Sequence, residues 1–221
     1  MKPILITPVL SKPGLLLMDM DSTLIQCECI DEIADFLGIK PEISSITERA
    51  MRGELDFSSS LVERVKLLAG LDVNVLEQVY QERIQLTDGA EILIQTVQSH
   101  GWKVGLVSGG FTYFTQRFQQ RLHLDFTASN TLDIQDGKLT GKLLGDIVDA
   151  AYKRTSLLSQ AKQHAIPMAQ TVAIGDGAND LPMLHEAALG IAFHAKPTVQ
   201  KEADATINEG GLDRVLDLLK A

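Results

Sequence analysis

The sequence predicts an α/β fold, a doubly wound parallel sheet with helices on both faces and a helical cap inserted after the first strand. Short continuous apolar runs, at residues 14–18 and 171–175, are typical of strands buried on both faces. Residues 24–86 instead show four successive helical patterns without a strand signal. We therefore expect an α/β core formed by residues 1–23 and 87–221, with residues 24–86 as the cap.

Each helix of the expected cap has a recognisable beginning or end. Ile30 begins an apolar helical pattern that Gly38 would end as a C-terminal cap. Pro41 suits the start of the second helix, because the first helical position tolerates proline. Asp56 and Asp72 are candidate N-caps of the third and fourth helices.

The core resumes the alternation of helices and strands after the cap. A helix at 90–99 leads into a strand at 102–107, and Asp136-Gly137 predicts a hairpin turn within 132–144. The other predicted helices begin at about Thr112, run from Lys153 to about His164, end at Glu186 after GDGAND, and close the chain as an amphipathic helix at Leu212–Leu219. The other predicted strands are Thr171–Gly175 and Leu189–Phe193.

The composition limits the functions that the chain can have. Its 221 residues are 45% apolar, which is typical of a globular protein with a buried core. Lys and Arg number 20 against 29 Asp and Glu, which gives a net charge of −9, and no long basic run is present. This balance opposes binding to a nucleic-acid backbone, so we expect no nucleic-acid partner.

The N-terminal stretch and the cysteines indicate a cytoplasmic protein without a membrane partner. Pro3, Pro8 and Pro13 interrupt the first apolar stretch, which therefore predicts neither a signal peptide nor a membrane span. Cys27 and Cys29 are the only cysteines, and no second cluster of cysteine or histidine completes a zinc site. We expect two free thiols in a reducing compartment.

Two carboxylates, Asp19 and Asp21, follow the first predicted strand in the segment DMDST. In an extended backbone, residues two apart face the same way, so two like charges lie close together. That arrangement requires a cation or a protonated acid. Mg²⁺ would supply the cation, while an ionised Asp19 acts as nucleophile and a protonated Asp21 as acid. An acidic turn that caps the next helix is the alternative interpretation.

Two further acids, Asp176 and Asp180, follow a second buried strand in the segment GDGAND. Its glycines allow a tight bend, and carboxylates at the mouths of neighbouring strands form a plausible metal cage. For Asp180, capping of the next helix or a supporting role around the metal ligands is favoured over direct ligation.

A glycine turn and a lysine add groups that bind an anion. Ser108 precedes Gly109 and Gly110, which offers a hydroxyl and unobstructed backbone N–H groups. Lys153 at a helix start opposes the helix dipole, unless its ammonium reaches a phosphate or Asp19. Alone, each signal is compatible with an ordinary turn or a surface lysine. Together, the four segments predict a phosphate-handling site at one edge of the sheet.

In this order, the four segments resemble the motifs of the haloacid dehalogenase (HAD)-like hydrolases, from Leu15 to the end of the chain. The resemblance implies a Rossmann-like core, an aspartyl-phosphate at Asp19, and Asp21 as general acid and then base. It implies Mg²⁺ held by Asp19, the backbone carbonyl of Asp21 and Asp176, with Asp180 ordering these ligands. The implied phosphoryl-binding residues are Ser108, Gly109, Lys153 and Asn179.

The cap segment AMRGELDFSSSLVERVKLL resembles the members of this family that hydrolyse phosphoserine. The resemblance implies that Glu28 receives the substrate ammonium and that Arg64 binds its carboxylate. Met51 and Phe57 are candidates for an apolar wall, although packing within the cap is the alternative. The cap would close over the site, and the hairpin could form a second, smaller cover. Either a monomer or a homodimer is compatible with the sequence.

Four other interpretations are compatible with parts of this pattern. A phosphotransferase, or a phosphatase with another small phosphomonoester as substrate, would use the same Asp19 intermediate. A signalling receiver domain also combines Asp, Ser or Thr, and Lys, but an acid two residues from the nucleophile and a helical insert oppose that interpretation. An inactive scaffold is disfavoured because all the expected polar residues are present.

Overall fold

In a computed structural model, which describes residues 7–51 and 54–221, the predicted doubly wound α/β architecture is confirmed. Seven strands form one sheet in the order β4-β3-β2-β1-β5-β6-β7, and every neighbouring pair is parallel except β3 and β4. The strands are β1 (Leu15–Met18), β2 (Lys103–Phe111), β3 (Phe126–Gln135), β4 (Lys138–Leu144), β5 (Thr171–Gly175), β6 (Leu189–Phe193) and β7 (Ala205–Ile207).

The helices connect the strands and supply the insert. The α-helices are α1 (Cys29–Leu37), α2 (Lys40–Met51), α3 (Phe57–Lys66), α4 (Asn74–Glu82), α5 (Ala90–Ser99), α6 (Thr112–Leu122), α7 (Ala150–Gln163), α8 (Leu181–Glu186) and α9 (Pro197–Glu202). Short 3₁₀ helices span Met168–Gln170, Ala178–Asp180 and Leu212–Leu218. Within the described ranges, none of the helices combines the length and apolar character that a bilayer crossing requires.

The central strand β1 explains how the core is divided into two layers. All four of its residues are fully buried. Because side chains alternate along a strand, Leu16 and Met18 pack into one apolar cluster, while Leu15 and Leu17 pack into the other. The continuous apolar run in the sequence therefore reflects a strand that is covered by helices on both faces.

Several predicted boundaries are wrong. Strand β2 continues through the glycine turn to Phe111, with an irregular register beyond Val107. Helix α7 begins at Ala150 rather than Lys153, because Asp149 caps it by accepting from the Tyr152 N–H at 2.8 Å. The final segment is a 3₁₀ helix rather than an α-helix.

Three elements were not predicted. The polar first half of β3 has no strand pattern, but it pairs with β2. Strand β7 has only three residues, too few to show a period, and α9 has only six.

The insert contains the four expected helices, α1 to α4, between β1 and α5. Gly38 is left-handed at the end of α1, and Asp56 caps α3 by accepting from the Ser59 N–H, both as predicted. The two linkers pair with each other, because the Thr87 N–H donates to the Leu24 carbonyl at 2.8 Å and Ile25 bridges Leu86. Pro3, the backbone of residues 52–53 and the Met51 side chain lie outside what the structure describes.

The predicted hairpin turn at Asp136-Gly137 joins β3 and β4, but the hairpin contacts the insert rather than the cavity described below. Three backbone hydrogen bonds connect it to the loop between α3 and α4. Gly70 N–H donates to Leu139 O at 2.8 Å, Leu139 N–H to Leu71 O at 2.8 Å, and Val73 N–H to Gly137 O at 2.9 Å. In the described part of the chain, the hairpin therefore contacts the insert, and none of its residues lines the cavity.

Candidate active site

A cavity of about 420 Å³ opens where β1, β2 and β5 end, between the sheet and helices α1 and α3. Parallel strands place the residues that follow them at one sheet edge, which is why distant segments meet here. Eight of the ten predicted site residues line the cavity, namely Asp19, Asp21, Glu28, Arg64, Ser108, Gly109, Asp176 and Asn179. The other two, Lys153 and Asp180, are fully buried and make an ion pair with each other.

Asp19 is the buried carboxylate at the end of β1. Its N–H donates to Ile174 O at 3.0 Å, which continues the pairing of β1 with β5. Its Oδ1 accepts from the Met20 N–H at 2.7 Å, and its Oδ2 lies 2.6 Å from Lys153 Nζ. Burial raises the pKa of Asp19 well above its ordinary value, and the Lys153 ammonium opposes this shift. A cation close to the carboxyl group, such as the Lys153 ammonium, therefore favours the ionised form of Asp19.

Lys153 is fully buried in the first turn of α7, where it contacts two carboxylates. Its Nζ lies 2.6 Å from Asp19 Oδ2 and 2.7 Å from Asp180 Oδ1. Burial acts to lower the pKa of Lys153, but the carboxylates of Asp180 and Asp19 outweigh burial and raise it. The alternative of a solvated surface lysine is wrong, because this ammonium remains charged inside the protein.

Asp21 differs from Asp19 in being half-buried and in making no ion pair within 4.0 Å among the described residues. Its Oδ1 accepts from the Cys29 N–H at 3.1 Å, at the start of α1. Burial, together with the negative charge of Glu28, raises the pKa of Asp21 to about 7. This carboxyl group can therefore hold or release a proton near neutral pH.

Asp19, Asp176 and Asp180 bring carboxylate oxygens within 4.8 Å of one another. Asp180 is already committed, because its Oδ1 binds Lys153 and its Oδ2 accepts from the N–H groups of Asp176 and Gly177 at 3.2 and 3.0 Å. Asp176 has no such partner in the described ranges, and burial raises its pKa to about 7, with the charge of Asp180 adding to the shift. This all-oxygen set fits a hard divalent cation.

Ser108 and Gly109 lie in the irregular end of β2, opposite the carboxylates. Ser108 is fully buried, and its Oγ accepts from the Gly110 N–H at 2.9 Å. Asn130, which the sequence analysis missed, donates from Nδ2 to Gly109 O at 2.8 Å and accepts at Oδ1 from the Val148 N–H at 2.9 Å. This buried amide holds the glycine segment in place.

Glu28 and Arg64 lie at the insert side of the cavity. Glu28 is exposed, and its Oε1 accepts from Ser22 Oγ at 2.6 Å. Arg64 is half-buried on α3, where its Nε donates to Ser60 O at 3.3 Å. Burial lowers the pKa of Arg64, opposed by the charges of Asp31 and Glu28.

Other cavity residues were not identified from the sequence as part of the site. They are Ser22, Ile30, Asp31, Thr47, Leu61, Phe111 and Lys196. Phe57 also lines the cavity, as its interpretation as part of an apolar wall allowed. Ser22 lies in the segment DMDST and Leu61 in the cap segment, but no role in the site was assigned to either side chain. The other five belong to no quoted motif, and the fold brings them to the cavity.

Comparison with known proteins agrees with this geometry. The model of the family described as haloacid dehalogenase-like hydrolase matches residues 16–185. A phosphoserine phosphatase of Haemophilus influenzae is 52% identical over 97% of this chain and 68% of that protein. A phosphoserine phosphatase of Polaromonas is 51% identical over 96% of this chain and 92% of that protein.

Solved structures agree as well. An unliganded, probable phosphoserine phosphatase of Vibrio cholerae has a TM-score of 0.88 and 47% identity, over 97% of this chain and 66% of that one. A substrate-bound phosphoserine phosphatase complex has a TM-score of 0.88 and 41% identity, over 95% of this chain and 99% of that one. The chain belongs to the haloacid dehalogenase-like hydrolase family.

Proposed function

We propose that this chain is a phosphoserine phosphatase, which hydrolyses O-phospho-L-serine to L-serine and phosphate in the cytoplasm. The observation that carries the proposal is that one cavity has phosphate-handling residues on one side and an acid and an arginine on the other. Asp19, Asp21 and Ser108 line its sheet side, while Glu28 and Arg64 line its insert side. A phosphomonoester with a zwitterionic amino-acid end matches this division, and the relatives named above support it.

Asp19 is the nucleophile in this proposal. One of its carboxylate oxygens attacks phosphorus, the bond between phosphorus and the serine oxygen breaks, and an aspartyl-phosphate forms. Asp21 protonates the departing serine oxygen, for which a pKa of about 7 is suitable. Asp21 then accepts a proton from water, which attacks the aspartyl-phosphate and regenerates Asp19.

The groups around the phosphoryl position neutralise and orient it. Lys153 balances Asp19, while Ser108, Gly109 and Asn179 offer polar groups along the cavity. Mg²⁺ fits an oxygen set formed by Asp19, the Asp21 carbonyl and Asp176, and when bound it neutralises phosphoryl charge. Asp180 orders this set through its contacts with Lys153 and the backbone.

Glu28 and Arg64 recognise the amino-acid end of the substrate. A carboxylate can bind the substrate ammonium, and a planar guanidinium can bind both carboxylate oxygens. Phe57 and Leu61 give the cavity an apolar wall beside Arg64. We propose residues 24–86 as the cap that excludes water during the reaction. All these residues come from one chain, so the proposed chemistry requires no second subunit.

The first experiment is phosphate release from L-phosphoserine and from a panel of other small phosphomonoesters, with Mg²⁺ and with EDTA. We expect phosphoserine to be the best substrate by at least about tenfold in kcat/KM, and EDTA to stop the reaction. Acceptor alcohols in the same assay distinguish hydrolysis from phosphotransfer, since a transferase would form a new phosphoester. Activity restricted to other esters would contradict the roles of Glu28 and Arg64 but not that of Asp19.

A further inference from the structure

Helix α3, which carries Arg64, contacts glycines of the core at both of its ends. At its beginning, a Cβ added to Gly109 would lie 2.7 Å from the Phe57 ring. At its other end, a Cβ added to Gly141 would lie 2.9 Å from Ala69 Cβ and 3.0 Å from Lys66 O. Contacts this short leave no room for a side chain, so the helix rests directly on the core backbone at two places.

The second of these places is the β3–β4 hairpin. Gly141 lies in β4 with φ +79°, and the atoms opposite it belong mainly to the backbone of Lys66 at the end of α3. Beyond that point, the loop from Gly70 to Val73 makes the three backbone hydrogen bonds to the hairpin that are described above. Lys66 is only two residues from Arg64, so a shift of the helix end is transmitted to the guanidinium.

We propose that the β3–β4 hairpin sets the position of Arg64, and that Gly141 is a positioning residue for recognition of the substrate carboxylate. This inference rests on the proposed role of Arg64. Gly141 does not line the cavity, so it would act only through α3. The hairpin thus has a function in specificity although it is outside the site.

Recognition by two parallel hydrogen bonds depends on geometry, which makes it sensitive to a small displacement. A methyl group at Gly141 would displace α3 by a few tenths of an ångström, because its neighbours are Ala69 Cβ and backbone atoms of Lys66 rather than flexible side-chain ends. Binding of the substrate carboxylate would weaken, while Asp19 and Lys153, which belong to the sheet and α7, would keep their contacts.

The test compares Gly141→Ala with Gly145→Ala. Both glycines are left-handed, with φ +79° and +75°, so alanine strains both backbones similarly, but Gly145 has open space around its Cβ position. Each variant is assayed with L-phosphoserine and with phosphoethanolamine, which has the ammonium but no carboxylate. We expect Gly141→Ala to raise KM for phosphoserine roughly threefold to tenfold, with little change in kcat or in phosphoethanolamine kinetics. Gly145→Ala should leave both substrates unchanged.

A second variant weakens the attachment of the hairpin to the insert by removing one of the hydrogen bonds between them, without adding atoms beside Gly141. Val73 has φ −59°, which proline adopts, and the preceding Asp72 is paired in an extended bridge with Lys138. Val73→Pro therefore removes mainly the N–H that donates to Gly137. It should raise KM for phosphoserine by a smaller factor, whereas Val73→Ala, which keeps the N–H, should not. This pair decides the question if Gly141→Ala does not fold.

The outcomes separate the two proposals. If the wild-type protein does not prefer phosphoserine to phosphoethanolamine, the proposed substrate is wrong. If the wild type shows that preference but Gly141→Ala and Val73→Pro retain it, the hairpin does not position Arg64. Equal losses on both substrates would also overturn the inference, because they would indicate general damage rather than loss of carboxylate recognition.

Discussion

The two ends of the cavity are built differently. At the sheet end, Asp19 is 5% exposed and Lys153 and Asp180 are fully buried, and these charges pair within 2.7 Å. At the insert end, Glu28 is exposed and Arg64 is half-buried, and the only hydrogen bond from Arg64 within the described ranges is a 3.3 Å contact to its own helix. The comparison suggests that the chemistry is fixed by a rigid network, whereas recognition depends on residues that keep free hydrogen-bonding groups for the substrate.

The largest expected effect is at the nucleophile. Asp19→Asn should reduce kcat by at least about 10³-fold, because a neutral amide cannot form the aspartyl-phosphate. The fold should persist, since Asp180 still pairs with Lys153. Single-turnover phosphate release and the thermal unfolding midpoint would be measured together. Turnover close to that of the wild type would contradict the mechanism.

Lys153→Met tests whether the sheet end is a structural network as well as a chemical one. This change leaves Asp19 and Asp180 buried without their cation, and breaking such a contact costs about 3 to 5 kcal/mol. Urea unfolding in EDTA would measure the free energy of unfolding without bound metal. Adding Asp180→Asn should recover part of the loss, and an unchanged stability in the single variant would show that the ion pairs contribute nothing.

Arg64→Ala should affect the insert end alone. We expect KM for phosphoserine to rise about tenfold to a hundredfold, with a much smaller effect on phosphoethanolamine. Lys66→Ala is the matched control, because it removes a positive charge from the exposed face of the same helix. If Lys66→Ala has the same effect, general attraction of the anionic substrate would explain both results.

The smallest expected effect concerns a contact between the insert and the core. Glu77 on α4 accepts from Tyr113 Oη at 2.8 Å and from Arg117 Nη2 at 2.6 Å on α6. Hydrogen bonds from Gln81, Tyr113 and Arg117 lower the pKa of Glu77 from 4.5 to about 2. Because the folded-state pKa is depressed, the stabilisation is complete above pH 4.5 and is lost as the pH falls toward 2.

Glu77→Gln should therefore lower the melting temperature by about 2 °C at pH 7, since an exposed ion pair contributes little. The difference from the wild type should disappear near pH 2. A difference that is constant from pH 7 to pH 2 would show that the charge of Glu77 is not responsible.

The sheet end and the insert end of the cavity also differ in how much of each could be predicted from the sequence. The sequence analysis found four carboxylates because each follows a strand or segment that local pattern identifies, and the carboxyl ends of parallel strands meet at one edge of the sheet. They are Asp19, Asp21, Asp176 and Asp180. For Asp180, both oxygens are committed to Lys153 and the backbone, and the supporting role that was favoured over direct ligation stays a prediction. The roles of Glu28 and Arg64 came from resemblance to a family, because nothing in the pattern of an amphipathic helix marks one arginine.

Asn130 and Gly141 show what local pattern cannot reveal. Asn130 is part of a polar segment without a strand signal, and it gains its role only when β3 pairs with β2. Gly141 resembles any other glycine of a hairpin until α3 packs against it. Both depend on contacts between segments far apart in the chain, which single-sequence reasoning does not reach.

The hydrogen bonds between the hairpin and the insert also affect association between molecules. β4 is the last strand on its side of the sheet, and an exposed edge strand can pair with an edge of another molecule. Here, part of that edge is occupied by the loop between α3 and α4. A core from which the insert had been deleted would expose these backbone groups, so an engineered exchange of the insert must replace them to keep the protein free of edge-to-edge aggregation.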